Sequence, residues 1–458
     1  MRRQYTPISG RQMRRLKRSS EAQLRSSAGE LANPWISAHV GWAFLFGLLL
    51  GCLYISEQGA YIWVASLMLL GIVIFPDERL KMRLVDWCPL VIAAYEVPSV
   101  LLSEYRAHSI RTSWVVILGV LVYYAVRLTI RTPTQIACLS AVLGVEGTWL
   151  AMHGFREFVT NSESLHDAGF SQLLVFRSRL IRPPSPWIPG EWFTLLFLCL
   201  PFACAFGMYC WNKRYAARLA LIFPVGITAA LFLSLSRAVF WSTIIFYLTL
   251  WVLIICIKVV RLRAGLLLLV FIVAALSSII GSESVLYPGL ARTYTEEHVS
   301  QTRSAEGRLS IWKRSVELVR AHPLWGVGSG NAALSLLSTA DADETTGFVS
   351  RSFSLPVQVL SEKGVFGFIL YGGSFFLCLA EFIGEVRMAS LVARARDRSS
   401  FVSGAGRVMR CCFAAGLLAV MVREITYSSI LEHGLTFSLV MCLVALLIAP
   451  EREAVECG

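Results

Sequence analysis

Apolar runs of membrane-crossing length recur through the whole chain, and no other feature narrows its fold so sharply. A helix needs roughly 20 apolar residues to cross about 30 Å of hydrocarbon. Runs near that length lie at Ala238 to Ile257, Gly265 to Ile280 and Leu435 to Ala449. Taken along the chain, spans are expected at 39–56, 60–75, 84–102, 113–127, 135–152, 191–211, 217–236, 238–257, 264–282, 356–383, 408–423 and 434–450. A backbone in lipid must satisfy its own polar groups, so these runs read as helices. The expected class is all-α: a polytopic transmembrane protein of about twelve spans with a long helical outer loop. With 56% hydrophobic and only 16% charged residues, a soluble domain is excluded. The first thirty or so residues are polar and basic, so no hydrophobic signal peptide is expected to precede the spans.

A net charge of +12 raises the question of nucleic acid. The basic residues instead fall in short clusters between apolar spans, the pattern of a membrane topology signal. With the N-terminus inside, the inner segments hold 26 of the 42 Lys and Arg and the outer segments hold 16. Eleven of those 16 sit in two long outer loops, which translocate largely regardless of charge. The organisation that follows is a basic inner tail (1–38), N-terminal spans (39–152), an outer loop (153–190), central spans (191–282), a long outer loop carrying the chemistry (283–355), C-terminal spans (356–450) and an inner tail (451–458). Eleven of the twelve cysteines lie in or beside apolar spans, Cys457 being the exception. They read as small hydrophobes, and neither a disulfide framework nor a metal site is expected. The segment Arg182-Pro183-Pro184-Ser185-Pro186 is a rigid entry into a span that Trp187, Trp192 and Trp211 bracket as an interfacial belt.

Four features carry possible chemistry. Ser234-Leu235-Ser236-Arg237 puts a charge at the outer end of a span, where it either snorkels to headgroups or faces a cavity or partner. From Glu306 to Arg320, Leu309, Trp312, Val316 and Val319 recur at helical spacing, with Arg308, Lys313, Glu317 and Arg320 elsewhere on the wheel. That describes an amphipathic helix on the outer membrane surface. Pro323-Leu324-Trp325-Gly326-Val327-Gly328-Ser329-Gly330 follows; its glycines mark a tight turn and a close backbone approach, and no Walker lysine accompanies them. Arg177, Arg179 and Arg182 form a third basic set; such guanidinium forks suit a pyrophosphate as well as a solvated face. Glu96 and Glu146 are acids inside spans, expected to pair with, for instance, an arginine of a neighbouring span, and Arg423-Glu424 is expected to be locally satisfied.

The order of these features resembles the O-antigen ligase and O-antigen polymerase-like family of bacterial envelope glycan assembly. The residues that carry the resemblance are Ser234, Ser236 and Arg237; Gly307, Arg308 and Trp312; His322, Pro323, Leu324, Gly326, Val327, Gly328 and Gly330; and Gln358, Leu360, Glu362, Gly364 and Gly367. The resemblance covers roughly 175 to 370 of the sequence. It implies a multi-pass protein of the bacterial inner membrane with an active face toward the periplasm. It implies transfer of a glycan from an undecaprenyl-pyrophosphate carrier to an acceptor hydroxyl, on lipid A-core (ligation) or on another lipid-linked repeat of O-antigen or exopolysaccharide (polymerisation). No cofactor, no metal and no nucleic acid enter such a reaction; membrane lipids, a chain-length regulator and a flippase are the implied partners. Negative charge grows on the leaving pyrophosphate, so preorganised cations lower the barrier. The catalytic set implied is Arg237, Arg308, His322 and Glu362; Arg177, Arg179, Arg182, Ser236, Trp312 and Arg351 would bind pyrophosphate or glycan.

One departure stands out. Many such ligases carry a His-Asn pair just before the Gln-x-x-x-Glu span, whereas Ser350 to Leu355 has no histidine and Phe353 takes that place. The base that activates the acceptor is therefore open among His322, Glu362 and His298, and the gap shifts the expectation from lipid A-core ligase toward polymerase. Two other readings are an inactive scaffold and a transporter or flippase. The transporter would show an internal repeat and broken spans meeting at the midplane, and the sequence displays neither.

Overall fold

The computed structural model describes residues 83–130, 133–168, 189–211, 219–233, 237–256, 311–332, 334–335, 354–395, 402–426 and 434–448. Every extended element among them is a helix: α1 (Leu84–Leu101), α2 (Arg106–Thr129), α3 (Pro133–Ala168), α4 (Pro189–Trp211), α5 (Ile222–Leu233), α6 (Arg237–Cys256), α7 (311–321), α8 (Leu355–Ala395), α9 (Val402–Thr426) and α10 (Gly434–Ile448). Among the described residues, four stretches are long and apolar enough to cross a membrane: Leu84–Leu101, Arg106–Arg127, Pro133–Gly154 and Leu355–Gly384. Shorter apolar helices occupy Thr194–Cys210, Leu219–Phe232, Val239–Ile255 and Leu439–Ile448. The expected spans at 39–56, 60–75 and 264–282 lie outside the described residues.

Several expected boundaries move. The fourth span begins at Arg106 instead of 113, and α3 runs to Ala168, so the start of the expected loop 153–190 is helical. Helix α8 continues to Ala395, well past 383. Hydropathy ends a span where polar residues begin, but a helix whose bonds are already formed continues through such residues at little cost. The expected stripe of α7 is also rotated: Ile311 and Ser315, one turn apart, are buried, while Val316 is open at the surface. Ser315, being small, lets that edge of the helix approach the protein.

Helix α4 is the axis of the bundle. Leu195 to Leu200 and Phe202 to Ala205 are all buried, which is what an apolar sequence with no polar face demands. It packs against α3, α5, α9 and α10. Small residues allow the close approach: Gly144 and Gly147 of α3 face Ala203 and Cys199, and Gly416 of α9 faces Pro201. The buried cysteines Cys199, Cys204, Cys411, Cys412 and Cys442 pack here as small apolar groups.

Helices α1, α2 and α8 form a side layer, with α1 touching both of the others. Ion pairs clamp one end of it. Asp86 takes a two-pronged bond from Arg127, Nε and Nη2 each 2.9 Å from a carboxylate oxygen, and Tyr123 donates to it at 2.6 Å. At that end Arg83 of the α1 cap meets Glu381 of α8 at 2.8 Å. The opposite end of the same layer holds the glycine turn.

Candidate functional site

The glycine-rich turn follows α7 directly and is fitted into a break in α8. Gly364 has φ 65° and ψ −168°, a conformation that interrupts the helix and that L side chains rarely adopt. Breaking the helix frees backbone groups, which lipid would leave unpaired. Residues 323–328 supply the partners. Val327 N–H donates to Ser361 O at 3.0 Å and Gly328 N–H to Glu362 O at 2.8 Å. In return Val365 N–H donates to Pro323 O at 2.8 Å and Phe366 N–H to Leu324 O at 3.4 Å. The two strands of backbone touch so closely that a Cβ on Gly326 would enter the Glu362 carbonyl group, and one on Gly364 the Leu324 carbonyl group. The close approach expected of the glycines is thus to the protein's own broken helix. The sequence reading held no broken span; hydropathy is blind to a single left-handed residue.

Beneath the turn lies a buried polar cluster. Glu96 of α1 and Lys363 of α8 are each 2% exposed and form an ion pair. The remaining lone pairs of Glu96 accept from Ser113 at 2.8 Å, Ser329 at 2.7 Å and Tyr371 at 2.8 Å. Lys363 also donates to Ser329 Oγ at 2.7 Å, and Ser99 Oγ lies 3.0 Å from it. Ser329 belongs to the turn, so the pair ties turn, α1 and α8 together. Glu96 is expected to pair, for instance with an arginine of a neighbouring span; the partner is a lysine, next to the helix break at Gly364.

A second network fixes the turn to the start of α2. Ser109 Oγ donates to Ser329 O at 3.0 Å and to Ser103 Oγ at 2.8 Å. Asn331 Nδ2 donates to Ser109 Oγ at 3.0 Å, to Val327 O at 3.1 Å, and to Ser103 Oγ. His108 Nε2 sits 3.1 Å from Gly330 O, with its ring exposed. Gly330 has φ 76°, and a Cβ there would strike Thr112 and press on His108 Cδ2.

The candidates from the sequence fall as follows. Arg237 opens α6; its side chain lies outside the described residues, as do Arg177, Arg179, Arg182, Ser236, His298, Arg308 and Arg351. Trp312 is half-buried and engaged on α7. His322 is exposed, and its backbone carbonyl accepts from Gly326 N–H at 3.1 Å, which starts the turn. Glu362 is 2% exposed, and its Oε1 accepts from Gln358 Nε2 at 3.2 Å. So placed, Glu362 is a buried carboxylate two residues before Gly364, where the helix breaks. Arg423 and Glu424 pair at 2.7 Å as expected, with Thr194 as a further partner of the arginine. Glu146 differs: its Oε2 is buried with no hydrogen-bond partner among the described residues. The sequence reading missed Lys363, Ser329, Asn331 and His108. A lysine inside the expected span 356–383 is a usable signal for the first of these.

Residues 219–372 match the model of the O-antigen ligase family. The matched stretch begins just before α5, takes in α6, α7 and the glycine turn, and ends in α8 beyond Gly364. No curated protein matches the chain.

Proposed function

Residues 219–372 belong to the O-antigen ligase family, and from that premise we propose that the chain transfers a glycan from a polyprenyl-pyrophosphate carrier to an acceptor hydroxyl on the outer face of the bacterial inner membrane. The observation that carries the reading is the family match over the segment that holds Arg237, Arg308 and, after both of them, the anchored turn. Arg308 lies three residues before α7, and α7 runs straight into a turn held by two polar networks. A rigid mount of this kind suits a cation that must meet the charge growing on a leaving pyrophosphate. Arg177, Arg179, Arg182, Ser236, Trp312 and Arg351 are assigned to binding of the pyrophosphate or the glycan. With Phe353 where a histidine is found in many ligases, extension of O-antigen or exopolysaccharide repeats is favoured over ligation to lipid A-core.

Broken spans are also a device of transporters, in which open half-helix ends meet a substrate at the midplane. Here the break is closed by residues 323–328, whose backbone groups take up the freed bonds. That favours an anchoring use over a transport site.

The test is the surface polysaccharide banding of a deletion strain complemented with variants. Arg237→Ala and Arg308→Ala each remove polymer or ligated product while the protein still inserts. Lysine at either site restores little, since it lacks the two-pronged fork. Wild-type banding from both alanine variants would sink the mechanism. Lipid-linked units that accumulate on the inner leaflet instead of the outer would point to a flippase.

A further inference from the structure

A hydroxyl acceptor must lose its proton as its oxygen bonds to the sugar, so a glycosyl transfer of this kind benefits from a base held at the site. Glu362 is buried, with Gln358 Nε2 3.2 Å from its Oε1, and so is poorly placed to meet an acceptor. We propose that His108, at the start of α2, is the base that takes the acceptor proton; the inference rests on the transferase reading above.

Three observations carry it. The first is the tautomer. A backbone carbonyl only accepts, so the 3.1 Å contact with Gly330 O requires His108 Nε2 to hold the hydrogen. In the neutral ring Nδ1 then carries the bare lone pair, the arrangement in which a second partner orients a histidine for proton abstraction. The second is the mount. Gly330 O meets His108, and the residues on either side of Gly330 are held, Ser329 O by Ser109 Oγ at 3.0 Å and Asn331 Nδ2 by the same hydroxyl at 3.0 Å. The next residue of α2, Ser109, is tied to Ser103, Ser329 and Asn331. The third is access. The His108 ring is exposed, beside a turn whose glycine at 330 leaves room only for that ring and Thr112.

The step balances. Acceptor O–H gives its proton to His108 Nδ1, and the acceptor oxygen bonds to the anomeric carbon. The bond from that carbon to the pyrophosphate oxygen breaks, and its electron pair leaves with the lipid pyrophosphate, where the guanidinium groups meet the charge. The imidazolium later returns its proton to water or to the leaving phosphate.

The experiment uses membrane vesicles holding the full chain at matched levels, supplied with the lipid-linked glycan extracted from a strain deleted for the chain. His108→Gln keeps a side-chain N–H for Gly330 O but has no basic nitrogen. It is expected to lower kcat by about 100-fold with donor KM within about threefold of wild type. His108→Ala is expected to lose a similar amount and to regain about tenfold with added imidazole. A structural role alone would spare His108→Gln and give no imidazole rescue. A His108→Gln kcat within about threefold of wild type, with Arg237→Ala and Arg308→Ala inactive, overturns the assignment of the base and leaves the transferase reading standing. Wild-type vesicles that elongate or transfer nothing, or arginine variants as active as wild type, overturn the transferase reading and this inference with it.

Discussion

A lysine and a glutamate face each other deep in an apolar layer, and each has lost nearly all contact with solvent. Removing two charges from water is costly, and the pair recovers that cost only because every remaining valence is used. Glu96 has Ser113, Ser329 and Tyr371; Lys363 has Ser329 and lies 5.4 Å from the Tyr371 ring centre. Removing one partner strands the other. Glu96→Gln or Lys363→Met alone should therefore destabilise the folded protein by roughly 3–5 kcal/mol, and the double substitution should recover much of that loss. Thermal unfolding in detergent measures it; single variants that melt with wild type would show that the two charges are not coupled in the membrane. Glu96 was legible in the sequence as an acid inside a span. Lys363 was not singled out because it follows Glu362 in a stretch read as the opening of a helix. Its burial depends on a helix break at Gly364 that leaves no trace in hydropathy. Glu362 shows the converse: its residue type fits a base, and only the fold reveals a buried carboxylate bonded to Gln358.

At the scale of the element, α8 contains glycines with opposite tolerances. Gly364 is left-handed at φ 65°, and its missing side chain is where the Leu324 carbonyl sits. Gly372 and Gly373 lie eight and nine residues further along the same helix, and nothing approaches the space a Cβ would fill. Gly364→Ala should cost at least about 1–2 kcal/mol from backbone conformation alone, with a further loss from the contact with Leu324. Gly326→Ala should behave alike, since its Cβ meets Glu362. Gly372→Ala should be neutral or stabilising by up to about 1 kcal/mol, as alanine is the better helix former. Detergent melting curves and surface polysaccharide banding together check the contrast; equal tolerance at 364 and 372 would mean the break is not held. The existence of helices at 84–102, 135–152, 191–211 and 434–450 was readable because composition and length decide it. The break was not, because it is decided by one φ angle and by a segment more than thirty residues earlier in the chain.

On the scale of the whole molecule, the pairings sort the ends of α1, α2 and α8 into two layers. Arg83, Asp86, Arg127 and Glu381 meet in one; Ser103, His108, Ser109, Ser329 and Asn331 meet in the other. Neighbouring helices are therefore antiparallel, and a label on any one end fixes the rest. The charge pattern supplies that label, since Arg79, Lys81 and Arg83 cluster before α1 and Arg394, Arg396 and Arg398 close α8. The positive-inside rule therefore predicts that the ion-pair layer faces the cytoplasm and the glycine turn the other side. Exposed positions make this testable with single introduced cysteines, because the described native thiols are buried or partly so. A membrane-impermeant maleimide added to intact cells with a permeable outer membrane should label Glu104→Cys and Leu324→Cys above the unmodified chain. Gly384→Cys, at the exposed opposite end, should label only after the inner membrane is opened. The reverse pattern would place the turn, His108 and α7 in the cytoplasm. A translocated lipid-linked glycan would then be out of reach, and outer-face transfer would fail on topology before any question of arginine or base arose.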